Sequence, residues 1–313
     1  MTGATISGAA TTIAIDASTL VTGATATLSG VSMIPIVTGL TGTLVATAVT
    51  GALNVTTADD AGDTIGITAG TGNLTLTAVA ASDTVTIDAT AMVGAQTITL
   101  AAGASNVTVT NLTSTGLLDA SLTTGILTVT GGAGVQSITG GSGADVITGG
   151  AGDDIIALGA DAAIDTVHFS AVATNGSDII TQFVVANDII NVELLGAGNI
   201  AGEAAVAAGA TVADAADTQI VYVFADGATA TGGETIASYT DLVDVLAFLN
   251  AALTIEATDV DGVAVINDLV THKAYVYNMD VDAAANTVID SITLVGTITA
   301  DAALTILNTA FTA

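Results

Sequence analysis

Apolar and polar residues alternate in short, β-branched runs that recur along most of the chain. In Asp83-Thr84-Val85-Thr86-Ile87, Val85 and Ile87 fall on one face and the threonines on the other, the two-residue period of a half-buried strand. Such runs begin near Asn54, Asp63, Asn73, Asp83, Gln96, Asn106, Leu117, Ile126, Val135, Asp145, Asp154, Asp165, Asp178 and Asp188, mostly about ten residues apart. Each holds a few strand-forming residues and then a turn rich in Gly, Ala, Ser or Asp. A strand this short buries almost nothing alone, whereas stacked copies bury a continuous core, so the pattern predicts an all-β parallel solenoid of the β-roll or β-helix kind. With two strands per coil, about twenty residues make a coil and the fourteen runs make about seven coils. Small apolar side chains suit the narrow interior between two sheets.

Three regions follow from this pattern. Residues 1–52 are equally rich in Thr, Gly, Ala and Val but keep poorer register, and read as an irregular β-rich start of the same structure. Residues 53–196 are the solenoid. Residues 197–313 read as a small, mostly β cap with one or two short helices. Within the cap, residues 201–217 are Ala-rich and fit a helix or a loop, and 218–225 read as a strand. Residues 238–252 give the clearest helix, with Ser238 or Thr240 as its cap, Asp241 in its first turn, and Leu242, Val245, Leu246 and Leu249 on one face. Strands are expected at about 263–267, 273–279 and 286–296, and a short helix at 301–310. The cap helix is expected to cover the open end of the solenoid, whose strand edges otherwise invite pairing with other chains. Tyr222, Phe224, Tyr275 and Tyr277 alternate on the cap strands and read as its core.

Composition narrows the functional classes. The chain of 313 residues carries 30 acids against one basic side chain, Lys273, for a formal net charge of −29. It has no Arg, Cys or Trp, and aromatics make up 3%. Such a chain cannot neutralise phosphates, which excludes nucleic-acid binding, and it lacks the residues for Walker-type phosphate sites, disulfides or thiolate–zinc centres. Thr, Gly and Ser interrupt every uncharged stretch too often for a helix in lipid, and the aromatic girdles of an outer-membrane barrel are missing, so no membrane insertion is expected. No basic region followed by an apolar run opens the chain, so no signal peptide of the usual N-terminal kind is expected. His168 and His272 stand apart and read as structural or surface residues, no H-E-x-x-H or G-x-S-x-G is present, and paired carboxylates in so acidic a chain identify no hydrolase site.

One motif carries chemistry. Residues 131–157 are three nine-residue units in tandem, GGAGVQSIT, GGSGADVIT and GGAGDDIIA. The second and third fit G-G-x-G-x-D-x-apolar-x at every position, and the first has Gln136 where the Asp belongs. Calcium takes six to eight hard oxygens. Glycines allow the turn to adopt positive φ and aim carbonyls inward, and the following Asp supplies a carboxylate as it opens the strand. With two strands per coil, each turn stacks on the turn two units later. Asp145 is then expected near Asp165, Asp154 near Asp178, and Asp165 near Asp188, with Gln136 facing Asp154 to give a weakened or absent site.

The units 131–157 resemble the RTX (repeats-in-toxin) calcium-binding β-roll of proteins exported by type I secretion. The stretch DTVHFS…SDIITQF…NDIINVELL (165–195) resembles the strands that close such rolls, with Gln182 where the usual pattern has Asp. The resemblance implies Ca²⁺ as the bound ion, with carbonyls of Gly140, Gly141, Gly143, Gly149, Gly150 and Gly152 completing the coordination spheres of Asp145 and Asp154. Asp153 adds local charge and is a further candidate ligand. Asp165, Asp178 and Asp188 are metal candidates for which a plain solvated-turn role stays open. Asp63 and Asp83, which follow no Gly-Gly turn, read as turn residues that bond their own backbone.

In composition the whole chain also resembles type I-secreted bacterial surface-layer subunits. That resemblance implies a secreted, non-enzymatic structural protein at the cell surface. It is expected to unfold at cytosolic calcium, fold outside the cell, and assemble as a homo-oligomer or a two-dimensional lattice of identical subunits. A surface polysaccharide or lipopolysaccharide is a candidate partner. The calcium-binding and secretion module of a larger RTX enzyme, toxin or adhesin is the alternative. Type I substrates carry an uncleaved C-terminal signal, for which 301–313 is the candidate segment.

Overall fold

The computed structural model describes residues 3–6, 12–20, 23–29, 34–59, 62–78, 80, 82–101, 103–113, 115–159, 161–192, 203–205, 221–224, 236–253, 262–268, 270–281, 288–300 and 311–312. Contacts divide the chain into two compact units, Met1–Asp165 and Thr166–Ala313. The change of sequence pattern near residue 196 falls inside the second unit.

The first unit is a parallel β-solenoid of about eight turns. Its first strands are β1 (Gly3–Ile6), β2 (Ile13–Asp16), β3 (Thr25–Leu28), β4 (Pro35–Leu40) and β5 (Thr43–Val45). The next are β6 (Leu53–Thr57), β7 (Thr64–Thr68), β8 (Leu74–Thr77), β9 (Thr84–Asp88), β10 (Thr97–Ala101) and β11 (Asn106–Leu112). The last are β12 (Leu117–Asp119), β13 (Leu127–Gly131), β14 (Ser137–Thr139), β15 (Val146–Thr148) and β16 (Ile155–Ala157). Odd-numbered strands pair in sequence order in one sheet and even-numbered strands in the other, all parallel. Residues 1–52 therefore supply five strands of the same two sheets. Their weaker sequence register has a local cause: the β4–β6 pairing shifts between Val37 and Leu40, where Gly39 takes φ +66°.

Alternation sets the core. In one sheet Leu44, Ile67, Ile87, Val109, Val129 and Ile147 stack in register, and in the other Leu53, Leu74, Ile98, Leu118, Ile138 and Ile156 do the same. All twelve are buried. Residues 1–165 contain no aromatic side chain, so aliphatic columns alone fill the space between the sheets. A repeated corner, Asp-Ala-Ser/Thr, turns the chain after β2, β9 and β12. In each, the Asp carboxylate accepts from both the N–H and the hydroxyl two residues on, as for Asp16–Ser18, Asp88–Thr90 and Asp119–Ser121.

The second unit holds β17 (Thr166–His168), the one-turn α1 (Val172–Asn175), β18 (Asp178–Phe183), β19 (Ile189–Asn191), β20 (Glu203–Ala205) and β21 (Val221–Phe224). After these come α2 (Leu242–Ala252), β22 (Gly262–Asp268), β23 (Lys273–Asp280), β24 (Ser291–Ala300) and β25 (Phe311–Thr312). β22, β23 and β24 form an antiparallel meander, β18 adds in parallel to β24, and β21 adds in parallel to β22. α2 buries Val245, Phe248, Leu249 and Ala252 against Phe224, Ala264, Ile266, Tyr277 and Met279. Phe224 and Tyr277 are core residues, and Tyr275 stacks on Tyr239 with ring centroids 4.9 Å apart.

Two details of the expected helix change. Its cap is Asp241, not Ser238 or Thr240, because the Asp241 carboxylate reaches the N–H groups of Val243 and Asp244. Leu242 is exposed and Phe248 takes its place in the core. The Ala-rich stretch contributes one strand at Glu203–Ala205, and the rest of 201–217, like the helix expected at 301–310, lies outside the described residues.

Candidate metal centre

The nonapeptide turns sit at the corners where the chain enters β14, β15 and β16. In each, a carboxylate or amide side chain is buried immediately before the strand: Gln136, Asp145 and Asp154 are all fully shielded from solvent. Asp165, Asp178 and Asp188, which open β17, β18 and β19, are buried as well. Their contacts follow one rule. Asp145 Oδ1 accepts from the Leu127 N–H one coil earlier, at 2.9 Å. Asp154 Oδ1 accepts from the Gln136 N–H at 2.7 Å, and Asp165 Oδ1 from the Asp145 N–H at 2.8 Å. The structure thus joins Asp145 to Asp165 and Gln136 to Asp154, as the twenty- and eighteen-residue separations suggest. The pairs Asp154–Asp178 and Asp165–Asp188 link residues of different units and stand as sequence expectations.

The second carboxylate oxygen closes the local turn. Asp145 Oδ2 accepts from the Gly141 N–H at 2.8 Å, and Asp188 Oδ2 from the Val184 N–H at 2.7 Å, in both cases four residues back. Asp178 instead accepts at 3.1 Å from the amide of buried Asn175. A carboxylate has about four lone-pair positions. For Asp145, one hydrogen bond per oxygen fixes its direction and leaves room for a cation.

The glycines act mostly through space rather than through φ. Of the six turn glycines expected to supply carbonyls, only Gly150 and Gly152 take positive φ, +108° and +113°. The expectation that the glycine-rich turn works by positive φ is corrected accordingly for Gly140, Gly141, Gly143 and Gly149. These lie where a Cβ would strike an oxygen of a neighbouring turn or of the motif's own Asp. A methyl on Gly140 would meet the Leu158 carbonyl oxygen at 2.6 Å and Asp145 Oδ2 at 2.7 Å. One on Gly143 would meet the Gly125 carbonyl, and one on Gly149 the Asp154 carboxylate. Carbonyls of stacked turns therefore converge where side chains are missing. Asp153 is exposed beside this turn.

Electrostatics single out the same residues. Burial pushes the Asp145 carboxyl up to about 6, with the Leu127 and Gly141 N–H groups opposing and the nearby Asp161 charge adding. Burial likewise pushes Asp154 up to about 6, opposed by the Gln136 N–H and reinforced by the Asp153 charge. The corner aspartates behave in the opposite way. Hydrogen bonds from Ser18 hold Asp16 below the usual carboxylate range, and Thr90 does the same for Asp88. The chain thus has two kinds of aspartate, one satisfied by its own turn and one buried and short of positive partners.

Asp161 was not singled out by the motif. It occupies the fourth position of a degenerate unit beginning at Leu158, where the repeat has Gly, and its Oδ2 is buried with no hydrogen-bond partner among the described residues. Gln136 shows a related deficit: neither end of its buried amide has a partner among the described residues. Among the described residues no three His, Asp or Glu side chains gather into a metal cluster. A cation here must be held mainly by carbonyl oxygens with one or two carboxylates, an all-oxygen donor set that fits calcium and disfavours softer metals. His168 and His272 are both half-buried and lie in the second unit.

Residues 130–163 match the family model of the RTX calcium-binding nonapeptide repeat, in four copies. No curated protein and no solved structure matches the chain. The chain therefore carries RTX calcium-binding repeats, set within a parallel β-solenoid. The match covers the three glycine-rich units and the first six residues of the degenerate unit that contains Asp161. No helix among the described residues is long and apolar enough to cross a membrane.

Proposed function

We propose that this chain is a secreted, non-enzymatic structural protein of a bacterial surface layer, whose folding and assembly are driven by calcium at the glycine-rich turns. The observation that carries the reading is the buried acidic ladder in a unit that has no positive side chain. Asp is the only ionisable side chain type in residues 1–165. Buried charges require pairing or coordination, and here the partners must come from solution. Extracellular calcium modules bind in the range of about 10⁻⁴–10⁻³ M. The turns then stay empty in the cytosol and fill outside the cell, where binding to the folded form alone stabilises it by about 2.7 kcal/mol per site at a hundredfold excess.

Regular assembly follows from the same electrostatics. Faces as acidic as these repel one another, and a divalent cation between copies removes the repulsion. The homo-oligomer or lattice of identical subunits, a polysaccharide or lipopolysaccharide anchor, and export by the type I route with 301–313 as its signal all belong to this proposal. Electron microscopy of the purified chain with and without millimolar calcium tests it. Ordered sheets that form with calcium and dissolve in chelator are expected. Monodisperse particles under both conditions would contradict the lattice and favour the calcium-binding module of a larger RTX enzyme, toxin or adhesin.

A further inference from the structure

Upstream of the matched repeats, Asp83 stands where β9 begins and repeats one contact of the repeat-turn aspartates. Its Oδ1 accepts from the Asp63 N–H one coil earlier, at 3.1 Å, the backward bond that Asp145, Asp154 and Asp165 make. Residues that open strands with Asn do the reverse. Asn73 accepts from Thr97 and Asn106 from Ile126, each one coil later. Among the described residues the Asp83 side chain bonds the neighbouring coil and not its own turn, which corrects the turn-residue role expected from the missing Gly-Gly pair. It belongs by geometry with the metal-site aspartates.

Its surroundings sharpen the case. Asp83 is 1% exposed, and its Oδ2 is buried with no hydrogen-bond partner among the described residues. Asp63, the residue bonded to it, opens the adjacent strand of the same sheet and is buried too. A buried carboxylate needs a proton, a basic side chain or a cation. No basic side chain exists in residues 1–165, and Lys273 pairs across strands with Asp268 in the other unit.

We infer that the corner formed by Asp63 and Asp83 is a further divalent-cation site, outside the nonapeptide repeats, with Asp83 as its anchoring carboxylate and calcium as its ion. The site rests on the calcium reading above and extends it by at least two coils toward the N-terminus. Glycine pairs are not required for it, since the approach is made by the Asp side chain.

Equilibrium dialysis of the full chain against radioactive calcium tests the assignment. Asp83→Asn keeps the acceptor for the Asp63 N–H and matches the Asn found at Asn73 and Asn106, so its fold in calcium, checked by circular dichroism, is expected to persist. The variant is expected to bind one calcium fewer per chain than the unaltered protein. The double variant Asp145→Asn/Asp154→Asn, with its repeat sites disabled, is expected to retain calcium binding that Asp83→Asn then removes. An unchanged calcium count in Asp83→Asn overturns the inference, as does a double variant that binds none. If the unaltered chain binds no calcium at all, the broader calcium proposal fails instead.

Discussion

At the scale of single residues, the chemistry turns on where an aspartate sits relative to its coil. The corner aspartates at 16, 88 and 119 are satisfied by their own turns, whereas Asp145 and Asp154 each direct Oδ1 to the neighbouring coil and are pushed up to about 6. The sign of the pH response follows. A raised acid makes the folded state bind protons more readily than the unfolded chain. Its contribution to stability is therefore fully present below the unfolded value near 3.8 and is lost as pH rises through about 6. The effect is on the order of 3 kcal/mol per group. Metal-stripped protein is expected to hold more β-structure at pH 4.5 than at pH 7.5, read by circular dichroism. With calcium present the trend is expected to reverse, because protons and calcium compete for the same oxygens. A metal-free β-content that climbs steadily with pH would contradict the burial argument.

Gln136 offers a second residue-scale test. It takes the place of the motif's Asp, bonds through its N–H to Asp154, and has an amide without partners among the described residues. Gln136→Asp restores the consensus and adds one more buried charge. In chelator the variant is expected to be less stable than the parent. In millimolar calcium it is expected to be more stable, with a lower calcium midpoint for folding. Equal shifts in both conditions would show that Gln136 only fills space.

At the scale of elements, the ten-residue step made the solenoid legible. Each of the fourteen runs read from the sequence is a strand, and the inward positions of Val85, Ile87 and their counterparts are buried. Alternation is clear there because the inward positions of the strands are almost all aliphatic, with Thr57 an exception at the end of β6. The pairing of Asp145 with Asp165 and of Gln136 with Asp154 was legible from the same spacing. What escaped was set by tertiary geometry rather than by pattern. The backward bond of Asp83, the close approaches at Gly140 and Gly149, and the shielding of Asp161 Oδ2 depend on the surrounding fold, which a linear reading does not place. The helix α2 shifted its face because the sheet beneath selects Phe248 over Leu242. Columns one residue wide also make the core unforgiving. Ile138 stacks between Leu118 and Ile156, so Ile138→Ala is expected to cost about 2–5 kcal/mol. The loss should be seen as a lower denaturant midpoint in saturating calcium.

At the scale of the whole molecule, an unusually one-sided charge of −29 is combined with a sequence apolar enough to fold. Neither property alone makes a calcium-dependent protein. Together they oppose each other, since the apolar columns favour compaction and the acidic ladder resists it. In the function proposed above, calcium decides the balance by entering the glycine-rich corners. The central claim is tested most directly by far-ultraviolet circular dichroism of the purified chain at neutral pH, titrated from chelator into millimolar calcium. The account predicts a largely unfolded spectrum in chelator and a cooperative gain of β-structure as calcium rises, saturating near the extracellular range. An unchanged β-rich spectrum throughout the titration would contradict it.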